Sequence, residues 1–247
     1  MNTTPTKKRR WSQFTLLSML GVVTVCAVVF ALLMRPLEQT RREMEIAKRI
    51  EKLGGSVTWG GFTEGRGENG RSYIGAIDLS GSLASDKDLA EIGTLPKLTH
   101  LNLNDTNITD AGIKHLMELP QLKQLELSGT KITDQGVQHL ARLSSLEVVK
   151  LERCNITDDA LHAMVQLESL WMLHLDKTLV TDAGIEQLAD LPKLRTLGLS
   201  NTQLTDTGLE KLSECDQLEL LFVDKTSITD AGLKEFNAGL ANRPAVR

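Results

Sequence analysis

Cysteine is scarce in this chain of 247 residues: Cys26, Cys154 and Cys215 form no C-x-x-C pair. That excludes a disulfide framework and leaves the redox compartment open. Basic charge is also lacking where a folded body is expected. Residues 54–247 carry 18 Lys/Arg against 28 Asp/Glu, a net of −10, whereas residues 1–53 carry 10 against 4. An acidic body offers no footprint for a phosphate backbone, so no nucleic-acid partner is expected. Catalytic motifs are missing too. The glycines of "GGFTEGRGENGR", Gly60 to Arg71, match neither a phosphate-binding loop nor a dinucleotide fingerprint, and read as a flexible loop. Nothing in the chain assembles a nucleophile with its base and orienting group. The expectation is a protein that is not an enzyme and carries no cofactor.

What is present begins with an apolar run. "KKRR" at Lys7–Arg10 precedes the uncharged Phe14–Met34, 21 residues that end against Arg35 and Pro36. A helix of that length covers about 31 Å, the thickness of a hydrocarbon core. A cleaved signal peptide is the competing reading, but its apolar region is shorter, about 7–15 residues, and no small-x-small cleavage site follows. The run therefore reads as a single-pass signal-anchor. Basic residues flank it on both sides. A short basic head is retained in the cytoplasm and long C-terminal domains translocate regardless of charge, which places the body outside.

From Ile74 onward the chain repeats every 24 residues, with units starting at Ile74, Leu98, Leu122, Leu146, Leu170, Leu194 and Leu218. The unit is LxxLxLxxTxITDxGLxxLxxLxx. Apolar positions 4 and 6 alternate as in a short strand with its side chains turned inward, and positions 16, 19 and 22 form one stripe of a short helix. Neither stripe is buried by one coil alone, so stacked coils close a core between a parallel sheet and a row of helices. A period of 24 with LxxLxL at its head is the signature of leucine-rich repeats, and residues 74–241 resemble that family. The fold class the resemblance implies is α/β, a solenoid with a parallel sheet on its concave face and short helices on its convex face, behind an N-terminal transmembrane helix. The wording TxITDxGLxxL is similar to that of bacterial membrane-anchored members and, more distantly, to F-box substrate receptors and ribonuclease-inhibitor-like proteins. An F-box role would rest on the repeats alone, because residues 36–73 are too short and glycine-rich to supply that domain.

The recurring Thr-Asp of "TNITDAG", at positions 12 and 13, reads as a structural device. The hydroxyl residue caps a helix, the apolar residues at positions 11 and 16 form a hydrophobic staple, and the carboxylate favours the positive helix end. Position 9, mostly Thr with Cys154 in the fourth unit, bonds backbone groups left free at the strand exit. Gly112, Gly136, Gly184, Gly208 and Gly232 at position 15 imply close approach of each helix start to a neighbouring coil.

Ahead of the repeats, residues 36–53 read as an amphipathic helix with Met44, Ala47, Ile50 and Leu53 on one face, stopped by Gly54 and Gly55. "SVTW" and "SYIGAIDL" make a strand pair whose first member covers the open edge of the first coil. The organisation is thus a basic tail (1–13), an anchor (14–34), a helical and glycine-rich connector that serves as N-terminal cap (35–73), the repeats (74–241) and a short tail (242–247).

Function should lie on strand residues pointing away from the core, at positions 3 and 5. Val148, Met172, Leu220 and Phe222, with Trp171 at the margin and His174 beside them, make the later coils the candidate protein-binding face. The competing reading is scattered surface hydrophobes. His115, His139 and His162 lie on helices without acidic or thiol companions, so no metal is expected. The resemblance implies a protein partner without naming it. The alternatives are a membrane-anchored interaction module and an inert structural spacer of the cell envelope.

Overall fold

A computed structural model describes residues 37–60 and 73–241, with Thr24 and Val28 as isolated positions. The predicted anchor Phe14–Met34, but for those two positions, the loop 61–72 and the tail 242–247 lie outside the described residues. No helix among the described residues is long and apolar enough to cross a membrane. The chain divides into two units, Met1–Arg42 and Glu43–Arg247.

In the second unit the first element is helical through residue 52, the C-terminal part of a helix beginning at residue 37 (α1). Strand β1 (Ser56–Gly60) follows, and β2 (Tyr73–Asp78) opens the repeats. Strands then recur every 24 residues as β3 (His100–Asn102), β4 (Gln124–Glu126), β5 (Val148–Lys150), β6 (Met172–His174), β7 (Thr196–Gly198) and β8 (Leu220–Phe222). The helices between and after them are α2 (Asp86–Ile92), α3 (Asp110–Ile113, continued as a 3-10 turn over Lys114–Leu116), α4 (Asp134–Leu140), α5 (Asp158–Met164), α6 (Asp182–Leu188), α7 (Asp206–Leu212) and α8 (Asp230–Ala241).

The eight strands form one sheet in chain order. β1 pairs antiparallel with β2, as the sequence predicted, and β2 to β8 are parallel in exact 24-residue register. The coil starting at Leu122 shows how the pattern fills the core: Leu122, Leu125, Leu127, Ile132, Val137, Leu140 and Leu143 are all buried. These are positions 1, 4, 6, 11, 16, 19 and 22. Strand alternation directs the first set inward and helical spacing the second, and the two meet between sheet and helices.

Each coil leaves its strand through a left-handed residue at position 8. Gly81, Asp105, Gly129, Arg153, Lys177, Asn201 and Lys225 all have φ between 56° and 70°. This bend lets the hydroxyl at position 9 turn back, so that Thr106, Thr130, Thr178 and Thr202 each donate at 2.6 Å to the carbonyl three residues earlier. Cys154 makes the equivalent contact to Leu127 O at 3.2 Å in the preceding coil. Burial pushes its thiol pKa up, so it stays a neutral small hydrophobe.

The Thr-Asp pair both caps and clamps. Thr109, Thr133, Thr157, Thr181 and Thr205 accept from the second helical N–H at 3.2–3.3 Å, as N-caps do. The aspartate reaches into the next coil: Asp86, Asp110, Asp134, Asp158, Asp182 and Asp206 each accept the N–H and the hydroxyl of the threonine 23 residues later. The N···Oδ1 distances are 2.8–2.9 Å and the Oγ1···Oδ2 distances 2.5–2.7 Å. Position 15 is mostly glycine because of this clamp. A Cβ on Gly136 would lie 2.3 Å from Asp110 Oδ1. Ala160 occupies the same position opposite Asp134, whose clamp on Thr157 persists at 2.7–2.8 Å, so the coil can give way by a methyl group.

The helix before the repeats differs from its predicted face. Met44 is exposed, and the buried stripe is Glu43, Ile46, Ala47 and Ile50. Glu43 joins it because its carboxylate accepts the N–H of Ile74 at 3.0 Å, at the head of the first repeat, which satisfies a charged group that would otherwise be costly to bury.

Candidate functional site

Alternation along each three-residue strand turns positions 3 and 5 away from the core, and the ladder continues to position 7. Position 7 N–H groups and side chains therefore join this outward face. Its early part is a polar network. Glu126 accepts from Gln124 Nε2 at 2.5 Å and Asn104 Nδ2 at 2.8 Å, and pairs with Lys150 at 3.2 Å.

The later coils carry the six residues singled out from sequence, and the structure does not treat them alike. Leu220 and Phe222 on β8 are 55% and 44% exposed. Trp171, Met172 and His174 are half-buried. Val148 is only 8% exposed, closed in by its β4 and β6 neighbours, and adds little surface. Two of the set are joined across an intervening strand: the His174 and Phe222 rings stack with centroids 5.9 Å apart and planes at 29°. Gly198 on β7 lies between them and has no side chain to obstruct the contact.

Below β8, Leu220, Leu221, Phe222, Val223, Leu233 and Phe236 are among the residues lining an open groove of about 390 Å³. Leu221 is only partly buried, although position 4 is fully buried in the inner coils, because no described coil stacks on its outer side.

Sequence reasoning missed Glu152 and Asp176, both at position 7. They converge on His174, whose Nδ1 lies 3.5 Å from Glu152 Oε1 and 3.3 Å from Asp176 Oδ2. Burial alone would raise the Asp176 pKa, but the bonds from His174 and from Ser200 N–H outweigh it and hold the carboxyl below its ordinary range. The available signal was that position 7 continues the two-residue alternation, which puts residues 24 apart side by side on the sheet. His115, His139 and His162 remain on the helices and do not join this group.

Two leucine-rich-repeat family profiles match the chain, one over residues 120–180 and one over 94–117 and 190–213. Among solved structures, internalin C2 of Listeria monocytogenes is 29% identical with a TM-score of 0.56, over 68% of each chain. Internalin F of the same organism is 22% identical with a TM-score of 0.49, over 68% of this chain and 52% of that one. The ectodomain of the Arabidopsis thaliana receptor kinase GASSHO1/SCHENGEN3, in complex with CASPARIAN STRIP INTEGRITY FACTOR 2, is 20% identical with a TM-score of 0.47, over 68% of this chain and 21% of that one. No curated protein matches.

Proposed function

The chain is a leucine-rich-repeat protein, and we propose that it is a protein-interaction module that binds its partner through the outward face of its later coils. The observation that carries this reading is the pair of large apolar side chains at outward positions of β8, Leu220 and Phe222, continued inward by the His174 stack. An exposed aromatic already held by a neighbouring ring loses little freedom on binding, which suits it to act as an anchor.

We further propose that Phe14–Met34 anchors the chain, with the repeats outside. The apolar length supports the span and the basic head supports the orientation. Carbonate extraction of membranes tests the span and protease protection of the repeats tests the orientation; extraction of the intact chain into the soluble fraction would refute the anchor.

For the binding face, the test is capture from solubilised envelope by residues 43–247, a span that keeps the helix closing the first coil. Phe222→Ala should weaken the captured partner's binding by about 2 kcal/mol, as loss of an aromatic anchor does. Capture of nothing at any salt concentration would favour an inert spacer.

A further inference from the structure

Three potential metal-ligand atoms on adjacent coils face one point. His174 Nδ1, Glu152 Oε1 and Asp176 Oδ2 all lie within 4.8 Å of one another, and the two separations from nitrogen are 3.3 and 3.5 Å. Each carboxylate is oriented from outside the group. Glu152 Oε2 accepts from Ser128 Oγ and Asp176 Oδ1 accepts the N–H of Ser200 at 2.9 Å, which leaves Oε1 and Oδ2 turned toward the imidazole. Space beside them is kept by Gly198, where a Cβ would fall 2.3 Å from Asp176 Oδ2 and 2.7 Å from His174 Nδ1.

With Nδ1 free of its proton, three lone pairs converge on a point that a single cation can satisfy. A proton on Nδ1 can be shared fully with one carboxylate, whereas a metal ion satisfies all three atoms at once. We propose that Glu152, His174 and Asp176 bind a divalent transition ion of the Zn²⁺ class, with its fourth position open toward solvent. For metal–ligand distances of about 2.0–2.2 Å a tetrahedron has edges of about 3.3–3.6 Å, the range of the two separations here. One imidazole nitrogen excludes Ca²⁺ and Mg²⁺ as preferred occupants, since both take oxygen ligands. Ser128 and the Ser200 N–H play the orienting role that outer partners play at metal centres.

The site makes no use of the partner-binding reading and is tested without a partner. Isothermal titration of the full-length chain with Zn²⁺, and its visible spectrum with Co²⁺, report affinity and geometry directly. Expected is one tight Zn²⁺ per chain, a tetrahedral Co²⁺ spectrum, and no comparable binding of Ca²⁺ or Mg²⁺. His174→Gln should weaken that binding about 100-fold or more, Glu152→Gln and Asp176→Asn at least tenfold each, and Ser128→Ala roughly 10- to 100-fold through loss of orientation alone. Apo-protein thermal melts identify any variant that fails to fold, and Ser128→Ala, which removes no ligand, keeps the proposal testable if one does. Phe222→Ala, on which the binding-face reading depends, should keep the stoichiometry. A wild type without tight Zn²⁺ binding, or a His174→Gln variant of unchanged affinity, would overturn the site and leave a histidine hydrogen-bonded beside two carboxylates.

Discussion

The two ends of the repeat array are built from the same unit and finished differently. At the first coil Ser85 has no upstream aspartate to clamp it, and Asp88 of its own helix substitutes, accepting both Ser85 N–H and Oγ at 2.9 Å. Arg49, from the helix before the repeats, then pairs with Asp88 at 3.0 Å and with Glu91. β1 covers the edge of β2, and Ile74, Ile77 and Leu79 are as buried as any residues of the central coils. At the last coil none of this is repeated. β8 has no described strand beyond it, Asp230 clamps no threonine among the described residues, and Leu221, Val223 and Ile228 are only partly buried. α8 is longer than the other repeat helices and brings Phe236 into the core, but it leaves Leu233 38% exposed. The contrast shows that a coil's burial comes half from each neighbour, so the same residue type has a different energetic weight at an end.

The largest expected effect contrasts core leucines. Leu125→Ala, at a site fully enclosed by coils on both sides, should cost about 2–5 kcal/mol through lost burial and a cavity. Leu221→Ala, at the same repeat position in the last coil, should cost clearly less, on the order of 1–2 kcal/mol, because part of its surface is already in water. Equal losses in paired denaturation curves would mean that the last coil is covered as well as the first.

Next comes the clamp. Asp134→Ala removes two charge-assisted acceptors from the Thr157 N–H and hydroxyl, and should cost about 2 kcal/mol. Asp230→Ala, at the unclamped end, should stay within about 0.5 kcal/mol of wild type. Thr133→Ala loses the cap and the hydroxyl bond of the Asp110 clamp while keeping its N–H bond, so its expected cost approaches about 2 kcal/mol, the upper end for an N-cap. A measured loss at Asp230 as large as at Asp134 would show that the carboxylate acts mainly on its own helix dipole, not on the neighbouring coil. Arg49→Ala should cost less, about 0.5–1 kcal/mol, since half of its side chain is exposed and Asp88 keeps its Ser85 bonds.

These comparisons separate what the sequence discloses from what it withholds. Repeat period, core positions and the capping threonines follow from patterns local to one unit, and all are visible in a single line of residues. The aspartate clamp joins residues 23 apart, so it emerges only once coils are stacked at a known offset. The same stacking brings Glu152 beside His174 and Asp176. Lys177 and Lys225 in left-handed backbone give no local hint, because the bend there is imposed by the inter-coil ladder and not by side-chain preference. Met44 and Val148 depart from the exposure their spacing implies, and Leu221, though inward as expected, is less covered than position 4 elsewhere. In each case the difference comes from a neighbour that periodicity does not describe.

The smallest expected effect tests the last rung of the clamp through pH. Asp206 accepts the N–H and hydroxyl of Thr229, and these bonds hold its carboxyl below the ordinary aspartate range although it is only partly buried. A carboxylate with a depressed folded-state pKa contributes stability that is fully present above its unfolded value, near 3.8, and is lost as pH falls through the lower folded value. Thr229→Val removes the hydroxyl while keeping the N–H, so the acid limb of its stability curve should be slightly shallower than that of wild type, with no difference in slope at neutral pH. Thermal melts across that acidic window read the difference. An acid limb that steepened on losing the hydroxyl would mean that the bond favours the protonated carboxyl, and the clamp at the open end would then have the opposite electrostatic sense from the one its geometry indicates.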